Sequence, residues 1–319
     1  MRLPLPLKTL ARPFPTFSRS GQTRSVHLAP PYLLDEYIPR HQLISSVDAA
    51  KKRSKAYAHL RNCNLCPRLC GVNRYEKTGY CLIPGETVKD ISHQRNGFDL
   101  TPEELAEWML KLQNVGQVHN INFITPEHVV PQVALAILTA ADMGLKIPII
   151  YNTSSFDSLE SIELLDGLID IYLPDFKVWK PSSSKRLLKA DNYTATAMES
   201  IKAMHAQVGD LSFTSDGIAK RGVLLRHLVM PGMEDEGVEI VRWLAENVSK
   251  DLYIHIMEQY HPDAHVGKKR RGKSGSQEIR YAEINRAIND NELEAVKSAA
   301  RDAGLWRLCE PAEHASFYV

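Results

Sequence analysis

From residue 100 onward the chain alternates short apolar runs with amphipathic stretches, and this alternation limits the fold more than any other feature. Thr101-Pro102-Glu103-Glu104 opens a helix: Thr101 is the N-cap, Pro102 the first helical residue, and Glu104 closes a capping box. That helix runs to about Val115. Asn120–Thr125 reads as a buried strand, 127–143 as a helix stopped by Gly144, and Ile147–Asn152 as the next strand. Helix 158–168, strand Asp170–Asp175, helix 195–208, strand Gly222–Val229, helix 236–248, strand Asp251–Tyr260 and a helix over about 291–303 follow. Strands alternating with helices predict a parallel sheet covered by helices. Runs such as Pro148–Tyr151 and Val223–Leu225 suit strands buried on both faces. The fold class expected is α/β, a parallel (β/α) barrel of the TIM-like type. Pattern alone does not separate it from an open doubly wound sheet, but no G-x-G-x-x-G follows the first strand.

The length of 319 residues accommodates such a barrel, about 250 residues, plus an N-terminal extension. The segments expected are a basic tail over 1–30, an extension over 31–99 and the barrel over 100–319. Residues 1–30 carry Arg2, Lys8, Arg12, Arg19 and Arg24 and no acid, which resembles a mitochondrial transit segment. The rival reading is a disordered basic tail, because Pro4, Pro6, Pro13 and Pro15 interrupt a helix; the chain would then be cytoplasmic. The net charge is +1, so global charge gives no strong nucleic-acid signal, and no apolar run suggests a membrane span.

Four of the five cysteines crowd one Asn-, Pro- and Gly-rich loop: Cys63, Cys66, Cys70 and Cys81. Four soft thiolates so spaced suit tetrahedral zinc or an iron–sulfur cluster, and spacing does not separate the two. Metal ligation in a reducing compartment is expected rather than a disulfide framework. Polar residues also gather at the C-terminal ends of the strands, where a parallel barrel carries its site: Thr125, Glu127 and His128; Asn152 and Thr153; Asp175 and Lys177; Arg226 and His227; Glu258, Gln259 and His261. Gly267–Ser274 (GKKRRGKS) matches a phosphate loop literally. Residues 261–266 separate it from the preceding strand, so a solvated basic loop is expected.

The runs CNLCPRLCGVNRYEKTGYC, TPEELAEWMLKLQ, NINFITPEHVVPQV, PIIYNTSSFDSLESIELLDGLIDIYLPDFK and IAKRGVLLRHLVMPG resemble, in order, the pyruvate formate-lyase-activating-enzyme-like branch of the radical SAM superfamily, over about residues 55–305. The resemblance implies a partial (β/α) barrel, a [4Fe–4S] cluster, S-adenosylmethionine, and activase or oxidoreductase chemistry through a 5′-deoxyadenosyl radical, with a protein substrate as a possible partner. It places Thr125, Asn152, Thr153, Asp175, Arg226 and Gln259 around the S-adenosylmethionine pocket. The family's C-x3-C-x2-C motif is missing, for no cysteine lies between Cys81 and Cys309. In relatives a linker, a strand and the cluster motif precede the segment resembling Asp90-Ile91-Ser92, whereas here Val88-Lys89 runs directly into it. That reads as an excised segment carrying the first strand and the cluster loop. The chain is therefore expected to be catalytically impaired, with the alternative that it is a non-enzymatic zinc or iron–sulfur protein using Cys63, Cys66, Cys70 and Cys81. A third reading, a hydrolase, would need Asp175 and Glu258 to face one pocket.

Overall fold

The computed structural model describes residues 31–81, 99–271 and 277–309. The expected basic tail and the Lys89–Asp90 junction lie outside them. The chain begins with a short strand β1 (Leu33–Leu34) and helix α1 (Ser46–Arg61), capped by the Ser45 hydroxyl. The Cys loop follows, then α2 (Pro102–Asn114), on which Thr101 and Glu104 form the expected capping box. The regular part continues as β2 (Ile121–Ile124), α3 (Val130–Asp142), β3 (Ile149–Thr153), α4 (Leu159–Leu165) and β4 (Ile171–Pro174). A single turn α5 (Pro181–Ser183), helix α6 (Tyr193–Val208), β5 (Ser212–Thr214), β6 (Ala219–Leu228), α7 (Glu234–Asn247) and β7 (Tyr253–Met257) come next. A hairpin of β8 (Lys269–Arg271) and β9 (Gln277–Ile279) precedes the last helix, α8 (Asp290–Asp302).

The fold is mixed α/β, with a mostly parallel central sheet and helices around it. β2, β3, β4, β6 and β7 lie side by side in chain order, each neighbouring pair parallel. β5 turns back antiparallel onto the start of β6, and β1 extends that edge. Gly222 lets this junction form. Its φ is 119°, and a Cβ there would stand 2.4 Å from the Asp210 carbonyl oxygen, so no other residue fits.

Side-chain alternation divides the sheet into two unlike faces. Ile149, Tyr151, Tyr172, Val223, Leu225, Ile254 and Ile256 are buried in one core with Val133, Ile137, Ile201 and Ile240 of the covering helices. The opposite face carries Ile150, Leu173, Leu224, Arg226 and His255, all only half-buried, beside the buried Ile171 and Asn152. The expectation of strands buried on both faces is therefore corrected. Strand sequences this apolar reflect packing under helices on one side and a half-open polar-rimmed surface on the other.

Asn120–Thr125 is corrected too. β2 is an edge strand that, among the described residues, pairs only with β3, and Ile124 is 67% exposed. Trp108 and Leu112 of α2 and its C-cap Val115, spaced i, i+4, i+7, also stay exposed. Other differences are local. The helix expected from 127 starts at Val130 because Pro126–Val129 closes a turn first. α4 stops at Leu165, where Gly167 takes a φ of 74°. The Asp251–Tyr260 strand contracts to β7, and Glu258 and Gln259 lie exposed beyond it.

The N-terminal segment is fastened at the opposite end of the strands. The buried Asp170 carboxylate accepts hydrogen bonds from the Tyr37 hydroxyl (2.6 Å), Arg40 N (2.8 Å) and Ile149 N (2.7 Å). Ala56, Cys63 and Leu65 join the same core as the sheet. The Cys loop is thereby held over the C-terminal ends of β2 and β3.

Candidate functional site

Cys63, Cys66, Cys70 and Cys81 line one cavity of about 400 Å³, together with Arg74, Thr125, Glu127, His128 and Ser154. The loop folds back because Cys63 N bonds Val72 O, Gly71 N bonds Cys63 O and Arg74 N bonds Leu60 O. Gly79 has no side chain where one would press on sulfur: a Cβ there would lie 3.0 Å from Cys70 Sγ and 3.9 Å from Cys81 Sγ. Non-glycine residues with left-handed backbone collect here, with Leu69 at φ 41°, Thr125 at 54° and Ser155 at 63°. For a β-branched threonine this is a strained conformation, of the kind that clusters at functional sites.

Arg74 is the feature the cysteine spacing did not reveal. It is 4% exposed. One Nη bonds His128 O (2.5 Å), the other lies 3.0 Å from Cys63 Sγ and 3.6 Å from Cys81 Sγ, and Nε has no partner. Among the described residues no carboxylate pairs with it. A buried guanidinium without an anion is costly, so its natural counter-charge is thiolate sulfur. Burial pushes the Cys63 thiol up, and Arg74 pulls it part of the way back; burial likewise pushes the Cys66 thiol up. Among the described residues, no three or more His, Cys, Asp or Glu side chains are arranged to hold a metal ion. The four sulfurs share a cavity without closing into a cage. The donor set fits a soft metal in kind: four thiols, a buried cation to offset thiolate charge, and a glycine leaving room between two sulfurs.

A second polar group occupies the half-open face at the strand ends. Arg226 of β6 donates from Nε to Asp175 Oδ1 (2.7 Å) and from Nη2 to Asn152 Oδ1 (2.8 Å). Lys177 Nζ donates to Asp175 Oδ2 (2.8 Å), and His255 of β7 lies opposite Arg226 in register. Of the predicted strand-end residues, then, Asn152, Asp175 and Arg226 meet. Thr125 faces the cysteine cavity, Thr153 turns to the buried face, and Gln259 is exposed and joins neither. Asp175 is engaged by two cations while Glu258 is exposed beyond β7, which leaves the hydrolase reading without an enclosed carboxylate pair.

Thr153 organises a buried carboxylate pair. Its Oγ1 lies 2.9 Å from Glu127 Oε1 and 2.5 Å from Asp157 Oδ2, and it also accepts from Ser155 N. One hydroxyl hydrogen serves one carboxylate, so the other carboxyl must itself be the donor. Tyr151 donates to Asp157 Oδ1 (2.6 Å), and Ser154 N donates to Glu127 Oε1 (2.6 Å). Burial, and secondarily the Glu127 charge, push Asp157 up to about 7, so Asp157 carries the proton. The native state therefore holds a proton that the unfolded chain releases near the usual carboxylate range. This contribution to stability is complete below about pH 4 and is lost as pH rises through about 7. Asp157→Asn is expected to flatten the urea-unfolding stability profile between about pH 4 and pH 7, removing a slope worth a few kcal/mol. An unchanged slope would place the proton elsewhere.

No known family model matches the chain. It is 25% identical to the uncharacterized protein MJ0674 of Methanocaldococcus jannaschii over 313 residues, covering 85% of this chain and 81% of that protein. Since 85% of 319 residues is about 271, roughly 40 positions of the 313-residue match have no counterpart in this chain.

Proposed function

We propose that the chain is a radical SAM-type protein of the pyruvate formate-lyase-activating-enzyme-like branch, in a form that has lost its first parallel strand and cluster loop and cannot generate the radical. The observation that carries this reading is the β2 edge. β2 ends the sheet and pairs on one side only among the described residues, which leaves an edge to which a preceding parallel strand would add. The five parallel strands β2, β3, β4, β6 and β7 in chain order, with polar residues gathered at their C-terminal ends, suit a partial (β/α) barrel better than a doubly wound sheet, whose strand order reverses.

The residues present do not fit an S-adenosylmethionine-binding cluster. Such a cluster needs three thiolates and an open iron beside the strand ends, and the described cysteines there are all in the N-terminal loop, in the spacing x2 then x3. No catalytic step is assigned to it. After anaerobic treatment with iron and sulfide, then S-adenosylmethionine and dithionite, the chain is expected to release no 5′-deoxyadenosine above a protein-free blank. Release above the blank would contradict the reading. Full-length transcripts sequenced across the Lys89–Asp90 codons are expected to include some with an in-frame segment encoding C-x3-C-x2-C.

A second reading is favoured by Arg74 and is compatible with the first: Cys63, Cys66, Cys70 and Cys81 hold one zinc ion or one iron–sulfur cluster as a structural centre. A four-thiolate site is coordinatively closed, so it would brace the loop and leave no position for substrate. Metal analysis of the purified chain separates this from a set of free thiols.

A further inference from the structure

The described part of the basic run, Gly267–Arg271, has a setting of its own in the fold. Lys269–Arg271 form β8, and an antiparallel strand, β9, follows rather than a helix. The hairpin stands beside the turn after α5, and a cavity of about 520 Å³ lies between them, lined by Arg186, Lys189, Arg270, Glu278, Arg280 and Tyr281. Arg186 and Arg270 are partly neutralised by Glu283 and Glu278. Lys189, Lys268, Lys269 and Arg280 have no carboxylate partner among the described residues. Cations at this density repel one another, and a polyanion relieves that repulsion.

Tyr281 stands at the centre. Arg186, Lys189 and Arg280 lie 5.4, 5.5 and 6.0 Å from its ring centroid, and Lys189 Nζ donates to its hydroxyl (3.1 Å). Both residues of this hydrogen bond are strained, with Lys189 at φ 59° and Tyr281 at φ 53°. Two left-handed non-glycine residues meeting in one cation cluster match the pattern of a ligand clamp. Tyr281 also walls a second cavity of about 290 Å³, whose sides include Leu187, Leu188, Leu228, Met230 and Ile284. An aromatic ring thus divides a basic cavity from an apolar one.

We propose that the strands β8 and β9, with Arg186, Lys189 and Tyr281, bind single-stranded nucleic acid, its phosphates on the cations and an unstacked base against Tyr281 and the apolar cavity. Cations spread over two chain segments suit a run of phosphates better than one, and an aromatic platform amid arginines is the usual means of holding unpaired bases. A duplex keeps its bases stacked and offers nothing to the apolar cavity.

Fluorescence anisotropy of the full chain with a labelled 15-nucleotide oligouridylate tests this. Saturable binding is expected at 50 mM salt. With about four phosphates engaged, affinity should fall with a log–log slope of about −3, roughly fiftyfold between 50 and 200 mM. Lys189→Ala with Arg280→Ala should flatten the slope by about 1.4 and weaken binding at least about tenfold. Tyr281→Ala should weaken binding about tenfold with the slope unchanged. Lys268→Gln with Lys269→Gln alters only exposed side chains and should flatten the slope similarly even if the other variants misfold. No saturable binding at 50 mM, or affinity unaltered in the Lys268/Lys269 variant, would overturn the proposal. Equal affinity for a 15-residue glutamate peptide would overturn it in favour of an acidic protein partner.

Discussion

Cys66→Ala is expected to reduce bound metal to less than about a tenth of one centre per chain and to loosen the loop from Cys63 to Cys81. The loop has little else to hold it. It contains no helix or strand and is fixed by a handful of backbone hydrogen bonds and by Cys63 and Leu65 in the core. Metal binding to four thiolates contributes on the order of 10 kcal/mol in small zinc modules, far above what those hydrogen bonds supply. Losing one ligand also leaves Arg74 facing fewer anionic sulfurs in a buried setting. Elemental analysis would report the lost metal, and hydrogen exchange would report faster opening of residues 63–81. Cys309→Ala, outside the loop, is the control and should alter neither. Full metal retention by Cys66→Ala would remove Cys66 from the ligand set. Because burial pushes Cys63 and Cys66 up, metal uptake must release protons and should weaken as pH falls.

Asp170→Ala is expected to destabilise the fold by about 4 kcal/mol, measured as a shift in urea midpoint at constant slope. The carboxylate is 0% exposed and satisfies three donors from two distant parts of the chain. Truncation leaves the Tyr37 hydroxyl and the Arg40 and Ile149 amides without their acceptor, each at a cost of about 1–3 kcal/mol. Asp170→Asn keeps one acceptor oxygen and should cost about half as much. A loss below about 1 kcal/mol would mean that water or a rearranged segment replaces the carboxylate. Asp170 lies at the N-terminal ends of the strands, away from the polar residues at the other end, so its role is to fasten the N-terminal segment.

The two predictions concern different kinds of information in the sequence. Helices and strands were legible because their signals are local. Thr101 and Glu104 form their capping box within one turn, and Gly144 ends α3 through its own backbone. The grouping of Asn152, Asp175 and Arg226 was legible once the strands were placed in parallel, because their strand ends then coincide. Burial was not legible in the same way. Asn120–Thr125 has the composition of an inner strand, and only its neighbours in space make it an edge. Asp157 was overlooked because its proton depends on Glu127, Thr153 and Tyr151 converging from separate segments. Arg74 left a trace, a basic residue between Cys70 and Cys81, but its burial against sulfur is a tertiary fact. The basic run Gly267–Ser274 carries no local sign of Arg186, Lys189 and Tyr281, which lie elsewhere in the chain and meet its described part only in the fold.

The proposal that joins both readings is that Cys63, Cys66, Cys70 and Cys81 hold one four-thiolate centre and that the chain has no open cluster for S-adenosylmethionine. Zinc and iron per chain, measured by elemental analysis after anaerobic reconstitution with both metals available, test it directly. The account predicts one zinc, or about four irons as a single cluster, with the metal lost in Cys66→Ala. A second cluster per chain, or a folded protein with no metal and all five thiols titratable, would contradict it.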